Sequence, residues 1–270
     1  MKRLTFPIVG IVVAAAFLAL APLHLRTASA DPRPIADATP RSPVLVELFT
    51  SEGCSDCPPA DALLEKLDRS QPVRNAQLVV LSEHVDYWND IGWKDPYSSH
   101  EFSARQDDYA RRFRIDGPYT PQMVVDGEAQ LVGSDERRAI EAIEGAAKAE
   151  KVSVSLSSIH LEGSTLALRV ESGTLASPAS SGSAKILVAL ADDSDRTNVS
   201  RGENAGRTLT HVAVVRTLTQ VGSIDPGGAF SKDVKVSTAN ANPRNLRVVA
   251  IVQEIATGRI LGVGTARLSN

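Results

Sequence analysis

The sequence predicts an α/β domain over residues 44–150 followed by an all-β, sandwich-like domain over residues 151–270. Three observations lead there. A short apolar run at residues 44–49 feeds into Cys54-Ser55-Asp56-Cys57 and then into the helically spaced Leu63, Leu64 and Leu67. Strand-like and helix-like stretches alternate as far as about Glu150, which is the pattern of an α/β unit. From Val152 onward the chain reads as about seven strands with turn residues between them and no helical periodicity.

The elements follow in order. Residues 44–49 and the branched run at 77–81 read as strands, with a helix over residues 60–67 between them. Residues 101–113 read as a helix that buries Phe102, Tyr109 and Phe113. Residues 122–125 and 129–132 flank Asp126-Gly127, a strong hairpin signal. A last helix spans residues 134–151, capped by Ser134, with Asp135 and Glu136 in its first turn and Lys148 and Lys151 at its end. The order β-α-β-α-β-β-α, with a CxxC after the first strand, resembles the thioredoxin fold. The later strands are expected at residues 152–156, 166–170, 185–191, 208–218, 230–236, 246–254 and 260–268, with a Ser/Ala/Gly loop at 173–183.

The first thirty residues read as a signal peptide: Lys2 and Arg3, an apolar run over residues 6–25, then Ala28-Ser29-Ala30 as a small-x-small cleavage site. The alternative is an uncleaved N-terminal anchor, and either arrangement exports the folded part to the periplasm or beyond. Residues 31–43, with four prolines, read as a linker, and no membrane span is expected in the mature chain. Setting aside Lys2, Arg3 and Arg26 leaves 26 basic against 32 acidic residues, a net charge near −6. With no long basic run, nucleic-acid binding is excluded as the leading function.

Cys54 and Cys57 are the only cysteines in 270 residues. In an exported chain a pair could be an inert crosslink, but a bridge closing so short a loop constrains little of the unfolded chain. The strand-CxxC-helix context favours redox chemistry, with no cofactor and no metal required. Thiol-disulfide exchange needs a thiolate, which a helix N-terminus stabilises. Cys54 is therefore expected to be the exposed nucleophile and Cys57 the resolving thiol. Asp56 disfavours the thiolate, and Pro58-Pro59 moves the helix start to Cys57 or Pro58, away from Cys54. Both details favour a reductant or isomerase over a strong oxidant.

In a thioredoxin-like domain the loop before the hairpin carries a cis proline that faces the CxxC and pairs with client backbone. Pro121 occupies that position, with Thr120 before it as a further candidate to bind the client, and cis bonds are essentially a proline property. Residues 83–99 form a polar-aromatic insertion at the carboxyl end of the second strand, where functional loops concentrate. Its His84, Asp86 and Trp88 are candidates to shape a client cleft. A glycine-punctuated loop at residues 201–207 adds Arg201, suited to pairing a carboxylate, with Glu203 and Asn204.

Taken together, the segments 48–61, His84-Val85-Asp86-Tyr87-Trp88, Gly92-Trp93-Lys94-Asp95-Pro96, Tyr119-Thr120-Pro121-Gln122-Met123 and Arg201-Gly202-Glu203-Asn204 resemble a bacterial family of secreted thioredoxin-like proteins of unassigned function. The resemblance implies the fold and export but supplies no substrate. The leading reading is an exported thiol-disulfide oxidoreductase acting on a protein client, re-reduced by an unidentified redox donor. A copper-binding or delivery protein using the same cysteines, with His84, is the alternative, although such proteins usually space the cysteines by three residues. A non-catalytic client-binding module is the third reading.

Overall fold

A computed structural model describes residues 41–175, 182–238 and 241–268. The alternating apolar segments of both halves of the chain meet in one large mixed sheet. Its strands are ordered β11-β10-β7-β8-β2-β1-β3-β4. The first half supplies β1 (Ser42–Thr50), β2 (Ala76–His84), β3 (Gln122–Val125) and β4 (Ala129–Val132). The second half supplies β7 (Ala184–Asn198), β8 (Thr208–Ile224), β10 (Leu246–Glu254) and β11 (Ile260–Arg267). A smaller antiparallel sheet, ordered β5-β6-β9, holds β5 (Val154–Glu162), β6 (Thr165–Ser172) and β9 (Phe230–Ser237).

In the first half, β1 and β2 run parallel, with Leu48 opposite Ser82, as a helical crossover requires. That crossover is α1 (Pro58–Ser70), which places Pro58 at its first position, where a missing N–H costs nothing. Its Ala60, Leu63, Leu64 and Leu67 pack on the sheet, and Gln71 ends it in a left-handed conformation. On the other side α2 (His100–Phe113) starts at Ser99, whose hydroxyl accepts the Glu101 N–H. Tyr109 of α2 joins Phe49, Val85 and Val124 in a separate aromatic core, with Trp88 and Phe113 packed against it. Arg105 anchors the same helix, donating to the buried Glu47 of β1 at 2.7 Å and to Gln253 of β10 at 3.1 Å.

The last helix is shorter than its sequence pattern predicts. Here α3 spans Glu136–Ala146, and Asp135 rather than Ser134 caps it by accepting the Arg138 N–H at 3.0 Å. Lys151 is not a helix terminus. It crosses to the buried Asp126 of the hairpin at 2.7 Å, so a tertiary ion pair replaces a helix-end charge. The first strand also begins at Ser42, two residues into the segment expected to be linker. The expected signal peptide and the rest of that linker lie outside the described residues, as does the middle of the loop expected at 173–183.

All seven strands expected beyond residue 152 are present, and only one short 3₁₀ turn (Pro243–Asn245) interrupts the described part of that half. Their arrangement departs from a separate sandwich. The small sheet does cover β7 and β10, with Leu166, Leu168 and Val170 meeting Ile186, Val188, Leu190, Val248 and Ala250. The covered layer, however, is the far end of the large sheet. β8 joins β2 in parallel at Ser82 opposite Val214, and the described residues form one compact unit. A strand that pairs with its neighbour hides backbone groups that an independent domain would expose at its edge. Gly262 lets β11 meet the incoming chain closely, since a Cβ there would stand 2.2 Å from the Val152 carbonyl oxygen. Among the described residues no helix is long and apolar enough to cross a membrane.

Two halves joined through one sheet should melt as one unit. Truncating the fully buried Leu190 to Ala is expected to cost about 2–5 kcal/mol. Calorimetry should show a single transition moved to lower temperature, and two resolved transitions would mean that the halves fold separately.

Candidate functional site

The carboxyl end of β1 delivers the chain into two tight turns before α1 begins. The Cys54 N–H donates to the Ser51 carbonyl at 3.2 Å, and the Cys57 N–H donates to the Cys54 carbonyl at 3.3 Å. Cys57 is the N-cap of α1, its carbonyl accepting the Ala60 and Asp61 N–H groups. Cys54 and Cys57 form a disulfide with their Cα atoms 5.5 Å apart. The helix thus starts after the pair, as Pro58-Pro59 predicts, and Cys54 stands a turn away from the N–H groups at its end.

Cys54 is not exposed. It is 1% accessible and Cys57 is 0% accessible, which corrects the expectation of an open nucleophile. Two insertions lie against the cysteine arch. Trp88 lies against Gly53 and donates its indole N–H to the Thr120 hydroxyl at 2.9 Å. The second insertion is the loop between β7 and β8, at residues 199–207. Its Asn204 is wholly buried and donates to the carbonyls of Glu52 at 2.9 Å and Cys54 at 2.8 Å. Glu203 accepts the Ser55 N–H at 3.0 Å. The Thr120–Pro121 peptide is cis, and Gly133 donates to the Pro121 carbonyl at 2.9 Å from the start of the α3 segment.

Behind the disulfide lies a buried polar cluster built around Glu52. The Glu52 N–H donates to Asp95 at 2.8 Å, and its carboxylate accepts the Trp93 indole N–H at 2.8 Å. His211 of β8 meets the other carboxylate oxygen at 3.2 Å. His84 pairs with Asp95 at 2.7 Å, and its ring stands edge-on to His211 with centroids 4.7 Å apart. Tyr97 closes over both rings. Asp61, one turn after Cys57, faces His211 Nδ1 at 3.6 Å, and neither of those two atoms has a hydrogen-bond partner.

Charge state follows from these neighbours. Burial works against the His211 proton, but the Asp61 and Glu52 carboxylates outweigh it and raise the imidazole from 6.5 to about 10. Burial likewise opposes charge on Asp95. There the pairing with His84 and the N–H groups of Glu52 and Tyr97 prevail, and the carboxyl is held below its ordinary value.

A family model described as "Protein of unknown function (DUF1223)" matches residues 45–253, most of the chain. The chain belongs to this family. The crystal structure of a protein from Agrobacterium tumefaciens is similar, at 28% identity and a TM-score of 0.63, over 85% of this chain and 98% of that one. HBP35 of Porphyromonas gingivalis is similar in fold, at 14% identity and a TM-score of 0.53, over 86% of this chain and 76% of that one. No protein of curated function matches the chain.

Several of the residues expected at the site therefore converge. Cys54, Cys57, Trp88, Glu203 and Asn204 are joined by direct contacts around one arch, and Thr120 reaches it through Trp88. Others do not. His84 is fully buried with Asp95, so it holds the cluster together and cannot meet a client. Asp86 turns to α2, where its N–H donates to the Ser103 hydroxyl at 3.0 Å, and Arg201 is exposed on the loop. Among the described residues no group of three or more His, Cys, Asp and Glu could hold a metal ion. Glu52, Asp61 and His211 were not among the candidates read from sequence. Glu52 lies two residues before Cys54 and was within reach of the motif, whereas a lone His211 in an apolar strand carries no local signal.

The raised His211 value makes stability depend on pH with a definite sign. Below about pH 6.5 both the folded and unfolded chains bind this proton, and the contribution is complete. It is lost as pH climbs toward 10, where the folded chain releases the proton as well. Urea midpoints should therefore fall more steeply from pH 6 to pH 9.5 in the native chain than in His211→Gln. Parallel curves would mean that His211 is uncharged in the fold.

Proposed function

We propose that the protein is an exported thiol-disulfide oxidoreductase whose working pair is Cys54 and Cys57, carried on a thioredoxin-like unit. The observation that carries this reading is the placement of the two cysteines. They are paired with each other at the junction of β1 and α1, three residues apart, with Cys57 as the helix cap. The order β1-α1-β2-α2-β3-β4-α3 and the cis Pro121 before β3 support the thioredoxin-like description. Export rests on the charged start, the apolar run at residues 6–25 and Ala28-Ser29-Ala30.

The reduced pair would act in two displacements. The Cys54 thiolate attacks a client disulfide, forming a Cys54–client bond as the client's first sulfur leaves as thiolate. Cys57 then attacks Cys54, closing the intramolecular bridge and releasing the client's second thiol. Two electrons pass to the client, and a dithiol donor must return them to Cys54 and Cys57. Asp56, exposed between the cysteines, adds negative charge beside the pair, which raises thiol pKa and favours the reducing or isomerising direction.

Cys54→Ser is expected to abolish exchange with a disulfide-bonded peptide, and Cys57→Ser to trap the mixed disulfide. Equilibration in glutathione buffers should give a potential nearer about −270 mV than about −120 mV. Full exchange activity in Cys54→Ser would end the reading, and a potential near the upper figure would reverse the direction.

A further inference from the structure

The cover over Cys54 has the construction of a movable part. β7 and β8 pair from Ala184 opposite Ile224 to Asn198 opposite Thr208, forming a ribbon much longer than the neighbouring strands. Its tip hangs over the cysteine arch. The neck is closed by the Val199 N–H on the Arg207 carbonyl at 3.0 Å and the Gly206 N–H on the Val199 carbonyl at 2.8 Å. Between those points the tip reads Ser200-Arg201-Gly202-Glu203-Asn204-Ala205-Gly206, with no large apolar side chain to anchor it.

What holds the tip down is polar. Asn204 makes two bonds to the carbonyls of Glu52 and Cys54, and Glu203 makes one to the Ser55 N–H. Gly202, at φ +73°, lets the tip lie flat on the first insertion, where a Cβ would stand 3.0 Å from the Trp93 Cβ. Each polar contact is nearly balanced by what water offers the same groups, so releasing the tip costs little compared with unfolding a packed core. Yet in the docked state the Cys54 sulfur is closed to an incoming thiolate, and exchange requires that the thiolate reach it.

We infer that the loop at residues 199–207 is a gate over the Cys54–Cys57 disulfide, closed by Asn204 and Glu203, and that thiol exchange proceeds from the open state. The inference rests on the exchange chemistry proposed above. The neck at Val199 and Arg207 is the hinge, and His211, further along β8, stays seated on Glu52 while the tip moves. Opening also frees the Ser55 N–H and the Cys54 carbonyl, a donor and an acceptor that an extended client backbone can take up in place of the loop.

The test is the rate at which dithiothreitol reduces the disulfide in the whole chain, followed by trapping the new thiols with a maleimide. One dithiothreitol thiolate breaks the S–S bond and its second thiol closes a ring. It gives up two electrons, and Cys54 and Cys57 leave as thiols. Asn204→Ala removes two of the three polar contacts and should speed reduction about 10- to 100-fold. Glu203→Gln, at an exposed position where folding is not at risk, should speed it by a smaller factor. Both effects must appear at denaturant concentrations too low to change the native circular dichroism.

Native-rate reduction in both variants would overturn the gate. So would reduction of the native chain whose urea dependence equals that of global unfolding. Because the assay reads access to a sulfur rather than turnover, its outcome is separable from the function. Loss of the oxidoreductase reading would leave accelerated reduction intact, and an active enzyme with unaccelerated variants would remove the gate alone.

Discussion

A single buried polar residue, Glu52, organises the site. It lies between the end of β1 and the first cysteine with no access to water, where backbone and side-chain polar groups must each find a partner. Its polar groups are met from three separate stretches of chain. Trp93 of the insertion after β2 and His211 of β8 meet the carboxylate, Asp95 of the same insertion accepts the Glu52 N–H, and Asn204 of the loop before β8 donates to the Glu52 carbonyl. Satisfying one residue therefore draws both halves of the chain onto the cysteine arch. Asp95 of the insertion meets both the Glu52 N–H and His84.

The single large sheet is the other face of this arrangement. Joining β8 to β2 positions His211 beside His84 and, with the loop ahead of it, sets Asn204 over Cys54. On the opposite side of the sheet, Arg105 performs a comparable task, tying α2 to Glu47 of β1 and Gln253 of β10. Burial pushes Glu83, next to that pair, well above the ordinary carboxylate range, and the nearby Glu47 charge adds to the effect against a partial offset from Arg105. Ionised groups thus cross between the halves on both faces of the sheet, which makes the fold a poor candidate for division at residue 150.

Much of this was legible in the residues. The strand-CxxC-helix junction, the start of α1 at Pro58, the hairpin around Asp126-Gly127 and the seven later strands all follow from patterns that act within a few residues. The helix bounds at Ser134 and Lys151 were misread because tertiary partners decided them: Asp135 captures the cap and Asp126 captures Lys151. Exposure of Cys54 was misread for the same reason. The groups that cover it lie about 35 and 150 residues downstream of it, beyond the range of local spacing.

By itself, then, the sequence determined which elements form and that its two thiols pair, because helix and strand periodicity, proline placement and two-residue cysteine spacing are short-range constraints. Tertiary structure alone decided that the later strands extend the first sheet, that His211 and Glu52 share a proton-binding cluster, and that a loop closes the disulfide. Those outcomes depend on which buried polar groups find partners across long separations in the chain, and no local pattern encodes that pairing.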